Sequence, residues 1–184
     1  MPVEIEKKYR IDPELASHLA ARLRKSGATF RYEQFEENRI YRGGPLAGRD
    51  ALIRVRKLGT RAILTYKEAL ASNDGLKRRV EHETEVGDAE AAEAIIERLG
   101  LRLTVVYEKR RKAWQLGEAE VVLDELPFGL FMEVEGDAQS IHDAEDRLGL
   151  KDLQAEGRSY PALTMQFGQG RDGVIEARFA AADG

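Results

Sequence analysis

The 184-residue chain contains no cysteine. Disulfides, thiolate metal sites and cysteine nucleophiles are thereby excluded together, and the composition suits a reducing compartment. Histidine is nearly as scarce: His18, His82 and His142 stand apart, without metal-ligand spacing. A bound metal would therefore need carboxylates. No run approaches the ~20 apolar residues of a membrane-spanning helix. The opening Met1-Pro2-Val3-Glu4-Ile5-Glu6 has neither the basic nor the apolar region of a secretory signal. The expectation is a cytoplasmic protein that makes no membrane contact. Positive charge is not in excess either, since 29 Lys and Arg against 33 Asp and Glu leave a net charge of −4. A polycation that coats nucleic acid is excluded.

What the chain does have is charge in alternating register. Charged residues make up 34% of it and hydrophobic residues 42%, and its length suits one domain with a proper core. In residues 3–11, Glu4, Glu6, Lys8 and Arg10 share one face of a strand, and Val3, Ile5, Tyr9 and Ile11 share the other. Lys7 is the one polar residue on the apolar side. Further strands are predicted at 29–42, 51–58, 61–69, 77–86, 101–114, 118–126 and 130–136. Gly59-Thr60, Leu116-Gly117 and Pro127-Phe128-Gly129 mark short turns between neighbours, which implies an antiparallel sheet. A helix starts at Asp12-Pro13 and stops at Gly27, and a second spans 88–99. A third spans 140–148 with Ser140 as its N-cap, and a short one follows from Tyr160 to about Phe167. The two halves look alike, each running strand, helix, strands, which predicts a pseudo-symmetric barrel. Residues 1–168 are read as one domain. Residues 169–184 are Gly-rich and weakly patterned and are expected to form a mobile tail, with Val174 and Phe179 as anchors if it docks.

The inner faces of these strands carry like charges two residues apart. Arg54 and Arg56 form one such pair, Lys109 and Arg111 another, and Glu133 and Glu135 a third; Arg79, Glu81, Glu83 and Glu85 share one face. Any single strand of this kind reads as a half-solvated sheet. Repeated on strand after strand, the pattern predicts a sheet closed into a barrel, with helices on its apolar outer face and the charges inside. Confined charges must be paired or hydrated. A polyanion bound with a divalent metal would satisfy both signs.

These residues resemble the CYTH family of triphosphate tunnel metalloenzymes. Glu4-Ile5-Glu6-Lys7-Lys8 is similar to its N-terminal Glu-x-Glu-x-Lys signature, and Leu52-Ile53-Arg54-Val55-Arg56 to its paired-arginine strand. Leu64-Thr65-Tyr66-Lys67, Arg79-Val80-Glu81-His82-Glu83 and Glu108-Lys109-Arg110-Arg111 resemble the strands that follow. Val122-Leu123-Asp124-Glu125 and Phe131-Met132-Glu133-Val134-Glu135-Gly136 resemble the closing acidic strands, and Ser159-Tyr160 a C-terminal Ser-Tyr pair. The likeness runs in order from about residue 3 to 165. One departure stands at 38–42, where Asn38-Arg39-Ile40-Tyr41-Arg42 replaces the Asp-bearing run of many members, so the tunnel mouth differs.

The resemblance implies an α+β, mainly β fold: a closed antiparallel eight-stranded tunnel with a charged lumen. It implies a metal-dependent enzyme acting on a triphosphate such as tripolyphosphate, ATP or thiamine triphosphate. Mg²⁺ or Mn²⁺ would be held by Glu4, Glu6, Asp124, Glu133 and Glu135. Lys8, Arg54, Arg56, Lys67, Arg79, Lys109 and Arg111 would bind the phosphates. Glu4, Glu6 and Lys8 are the catalytic candidates, joined by Glu81 and Glu83 as supports or ligands of a second metal. Lys7, Arg110 and Lys112 are expected to face out and Glu85, Arg10 and Glu120 to be rim or surface charges; Glu37, Asn38 and Tyr41 are left open as mouth residues, without an assignment. Hydrolysis is the first expectation. A cyclase of the class IV type, making cyclic AMP and pyrophosphate from ATP, is the second, and a polyphosphate-binding module without catalysis the third. No nucleic-acid partner is expected, and a homodimer is left open.

Overall fold

A computed structural model describes residues 3–180. The elements run β1 (Val3–Ile11), α1 (Pro13–Lys25), β2 (Thr29–Arg42), β3 (Ala51–Leu58), β4 (Arg61–Leu70), β5 (Lys77–Val86), α2 (Ala89–Arg98), β6 (Arg102–Leu116), β7 (Ala119–Leu126), β8 (Gly129–Glu135), α3 (Ala138–Leu148), α4 (Tyr160–Phe167), β9 (Gln169–Arg171) and β10 (Val174–Ala177). Eight strands follow the order β2-β3-β4-β5-β1-β8-β7-β6, and pairing of β2 with β6 closes the ring. All neighbours within the ring are antiparallel. Exchanging β1–β4 with β5–β8 leaves that order unchanged, so the alike halves become a pseudo-two-fold ring. Closure leaves no free edge in the ring. The seam is made by the two longest strands, with register shifts at Phe30/Tyr32 and Ile40/Tyr41 that help the sheet bend.

The helices cover the apolar outer face. Side chains of α1 and α3, among them Leu19, Leu23, Ile141 and Leu148, pack with Tyr9, Trp114, Val121, Met132 and Val134. On another side Ile96 of α2 packs with Tyr41, Val55 and Leu101. Lys7, the polar residue on this face, pairs with Glu145 of α3 at 2.5 Å. Asp12 caps α1 by accepting from the Leu15 amide at 2.7 Å, and Asp88 caps α2 by accepting from Ala91 at 2.9 Å. The third helix starts earlier than predicted: Asp137, not Ser140, is its N-cap, and accepts from the Ser140 amide at 2.7 Å.

The fourth helix enters the barrel. Tyr160 and Leu163 pack on the inward residues Ile40, Val105, Tyr107, Leu126 and Phe131, so an apolar cluster fills that end of the interior. The segment after α4 differs from the predicted tail, since β9 and β10 form a hairpin and β10 pairs in parallel with Val105–Tyr107 of β6. The reason lies in β6, whose pairing with β7 covers only Arg110 to Leu116 and leaves its first half open to another strand. Arg178 then binds Glu37 at 2.6 Å and Glu108 at 3.1 Å, and Phe179 packs on Phe35. Residues 181–184 of the expected tail lie outside the described residues. Among the described residues no helix is long and apolar enough to cross a membrane.

Candidate active site

Period-two alternation sends every second side chain of each ring strand inward, and together they wall a cavity of about 340 Å³. Eight cations (Lys8, Arg42, Arg54, Arg56, Lys67, Arg79, Lys109, Arg111) and eight carboxylates (Glu4, Glu6, Asp50, Glu81, Glu83, Glu120, Glu133, Glu135) line it. Cross-strand register determines who meets whom. Lys67 of β4 lies between Glu4 of β1 at 2.6 Å and Glu81 of β5 at 2.9 Å. On β3, Arg56 reaches Glu83 at 2.7 Å, and Arg54 stands 3.3 Å from Glu83 and 3.5 Å from Glu81. Arg79 binds Glu6 at 3.1 Å. Lys8 of β1 and Glu133 of β8 are register partners and pair at 3.1 Å. Arg111 forks between Asp124 at 2.6 Å and Glu133 at 2.7 Å.

Burial and these charges shift the acids in opposite directions. Burial disfavours ionised Glu133, but Lys8, Arg111 and Lys109 outweigh it and hold the carboxyl below its ordinary range. Glu36 behaves alike: burial is opposed and overcome by Lys109, Arg111 and Arg56. Glu135 goes the other way. Burial and the neighbouring Glu4 carboxylate push it up to about 8. Burial and nearby Lys8 bring Lys77 down to about 8. The Nε atoms of Arg54 and Arg56 are buried without a hydrogen-bond partner, donors of the kind a ligand completes.

The ring brings most of the sequence-predicted residues together. Glu4, Glu6, Lys8, Arg54, Arg56, Lys67, Arg79, Glu81, Glu83, Lys109, Arg111, Glu133 and Glu135 all line the cavity. Asp124, expected among the metal ligands, is not on the cavity wall. It is 1% exposed and accepts from Arg111 at 2.7 and 2.6 Å and from the Tyr160 hydroxyl at 2.7 Å, so its oxygens are committed to holding these groups. Glu120, expected at the rim, lines the cavity. Of the residues left open at the mouth, Glu37 and Tyr41 point outward, to Arg178 and to the α2 cluster. Asn38 is buried and donates to Glu36 at 3.3 Å. Arg110 and Lys112 do face out, pairing with Glu125 and Glu33, and Glu85 pairs with Arg61 at the surface.

Sequence reasoning missed Glu36, which is fully buried and lies 3.3 Å from Lys109. It also missed Tyr32, Arg42 and Tyr107 on the cavity wall. The signal available for Glu36 was its alternation with Tyr32, Gln34 and Asn38 on β2. Tyr160 matches its predicted Ser-Tyr motif, and its ring lies 3.7 Å from the Lys8 ammonium.

A divalent cation fits this lining. Among the described residues no group of three or more His, Cys, Asp or Glu side chains is placed to hold a metal ion by itself. Mg²⁺ and Mn²⁺ sites of phosphate chemistry need only one or two carboxylates, with water and phosphate oxygens completing the shell. Glu4 and Glu135, whose charges repel, are the two carboxylates that would hold such an ion.

The comparisons with known proteins agree with this geometry. The PH1012 protein of Pyrococcus horikoshii OT3 is 28% identical and superimposes with a TM-score of 0.74 over 85% of this chain and 96% of its own. HpAC1 from Hippeastrum, described as having a dominant triphosphatase activity, is 16% identical with a TM-score of 0.69, covering 90% and 96%. A candidate adenylate cyclase from Vibrio parahaemolyticus is 20% identical with a TM-score of 0.66, covering 85% and 94%. These last two likenesses are of fold. No curated protein matches the chain in sequence. The sequence profile of the CYTH domain matches residues 2–160, and the chain belongs to the CYTH domain family.

Proposed function

We propose that this protein is a divalent-metal-dependent enzyme that hydrolyses a triphosphate inside the barrel. The observation that carries the reading is the matched lining: eight cations and eight carboxylates around one cavity. With Glu135 protonated such a lumen is one charge positive, little to draw in a bare polyanion. A polyanion that enters with its metal brings both signs, and both sets of side chains then have partners. The unpartnered Nε donors of Arg54 and Arg56 and the repelling Glu4–Glu135 pair point the same way.

In this reading Lys8, Arg54, Arg56, Lys67, Arg79, Lys109 and Arg111 grip the phosphate oxygens. Glu4 and Glu135 hold Mg²⁺ or Mn²⁺, with Glu6 and Glu133 next to them on the same strands. Bound there, the metal supplies charge neutralisation at the phosphate oxygens. Glu81 and Glu83 hold Lys67, Arg54 and Arg56 in place, and Asp124 holds Arg111, so the donors are set before the substrate arrives. Phosphoryl transfer depends chiefly on such positioning and on stabilising charge. Tyr160, hydrogen-bonded to Asp124, places its ring against the Lys8 ammonium.

The test is incubation with Mg²⁺ or Mn²⁺ and tripolyphosphate, ATP or thiamine triphosphate, with phosphate, pyrophosphate and cyclic AMP resolved. Orthophosphate release that stops in excess EDTA and in Glu4→Gln is expected. Cyclic AMP with pyrophosphate from ATP would make the protein a cyclase. Tight binding without turnover would reduce it to a binding module.

A further inference from the structure

We propose that Arg42 is a specificity residue that takes an anionic group lying beyond the third phosphate, so that the tunnel favours a linear chain of four or more phosphates. The inference rests on the triphosphate-gripping reading above and extends it by one position.

Seven of the eight cations on the cavity wall have a carboxylate within ion-pairing distance. Arg42 is the exception among the described residues. Its recorded partner is the Ala51 carbonyl at 3.4 Å. It is half-buried at the last position of β2. Asp50 lines the same mouth but forms no ion pair with it. A half-buried guanidinium with no counter-charge is costly until an anion arrives.

The position of Arg42 defines the shape of that anion. Arg56 and Arg54 are successive inward residues of β3, in register with Asn38 and Ile40 of β2. Arg42 is the next inward residue of β2, one beyond the Tyr41–Ile53 pair. The three guanidinium-bearing positions therefore step in one direction along one wall, about 7 Å apart at the rise of a strand. A row of this kind suits a linear polyanion.

The experiment measures the affinities of the metal-saturated protein for tripolyphosphate and tetrapolyphosphate, with adenosine 5′-triphosphate as a third ligand, by calorimetry, in wild type, Arg42→Ala and Arg42→Lys. The wild type is expected to prefer the longer chain. Arg42→Ala should lower the ratio of the two affinities about tenfold, the scale of one lost charge-assisted contact. Arg42→Lys should keep most of that ratio, and its melt shows that the fold survives change at this site. A ratio unchanged in Arg42→Ala, or equal loss for both ligands, overturns the inference while leaving the triphosphate reading standing. Adenosine 5′-triphosphate bound more tightly than tetrapolyphosphate, with the advantage lost in Arg42→Ala, also overturns it and makes the mouth a site for an organic group. Failure of the wild type to bind any of the three overturns the triphosphate reading itself.

Discussion

Strands β3–β4 and β7–β8 hold equivalent places in the ring, and their inner faces carry opposite charges. Arg54 and Arg56 of β3 correspond to the strand of Glu120 and Asp124, and Lys67 of β4 to that of Glu133 and Glu135, whereas β2 carries both signs, Glu36 and Arg42, opposite the Lys109/Arg111 strand. One topology is thus used twice with inverted charge. Each half also pairs differently. In the first, Arg54 and Arg56 share Glu83, whose side chain is 36% exposed. In the second, Arg111 joins Asp124 and Glu133, both at 10% exposure or less. The difference teaches that the second half is built as a rigid wall, and the first keeps cations that a ligand can recruit.

Breaking the rigid wall should have the largest effect. Arg111→Ala leaves buried Asp124 without its main partner and buried Glu133 with Lys8 alone at ion-pairing distance, and about 3–5 kcal/mol of stability should be lost. Arg56→Ala should cost less, because Glu83 at 36% exposure can turn to water and buried Glu36 keeps Lys109 and Gln34. Urea denaturation of both variants checks this, and equal losses would erase the distinction between the halves.

Filling the cavity sharpens the comparison from the ligand's side. Tripolyphosphate with Mg²⁺ at a hundred times its dissociation constant should add about 2.7 kcal/mol of stability. Arg54→Ala and Arg56→Ala should each remove much of that gain, whereas the outward-facing Arg110→Ala and Lys112→Ala should not. If thermal melts show all four variants losing it alike, the charges act as a diffuse surface and the tunnel reading fails.

The smallest effect concerns the corner where acids of both halves meet. Folded protein keeps the Glu135 proton up to about pH 8, whereas an unfolded glutamate loses it near ~4.3. Folding takes up a proton across that window, so this residue's contribution to stability falls as pH rises through it. In metal-free protein Glu135→Gln should raise the melting temperature by about 2–4 °C above pH 8, the scale of a ~1 kcal/mol change at this length. At pH 5 the gain should vanish. A gain equal at both pH values would show that carboxylate repulsion is not its source.

Much of this was legible in the chain. Alternation in residues 3–11, 51–58 and 77–86 marked strands with charged faces, because side-chain direction in a strand depends only on position parity. Asp12-Pro13 marked a helix start through a local hydrogen bond. The family motifs placed most of the cavity lining in order. Glu36 stayed hidden because Glu33, Glu36 and Glu37 lie close together in sequence and read as a solvated stretch. The hairpin after Phe167 was missed because its strands are short, and the free half of β6 that receives them exists only after the ring has formed.

The order of local units and the face on which each charge lies followed from sequence, since both depend on residues a few positions apart. Which charges are paired was decided by tertiary structure. Glu36 meets Lys109, and Asp124 meets Tyr160, only once β2 closes on β6 and α4 enters the barrel. Glu135 keeps a proton that its identity alone would not give it, and Arg42 lacks a counter-charge. Both outcomes depend on strands far apart in the chain, because Coulomb energy follows distance in space and the dielectric around each group.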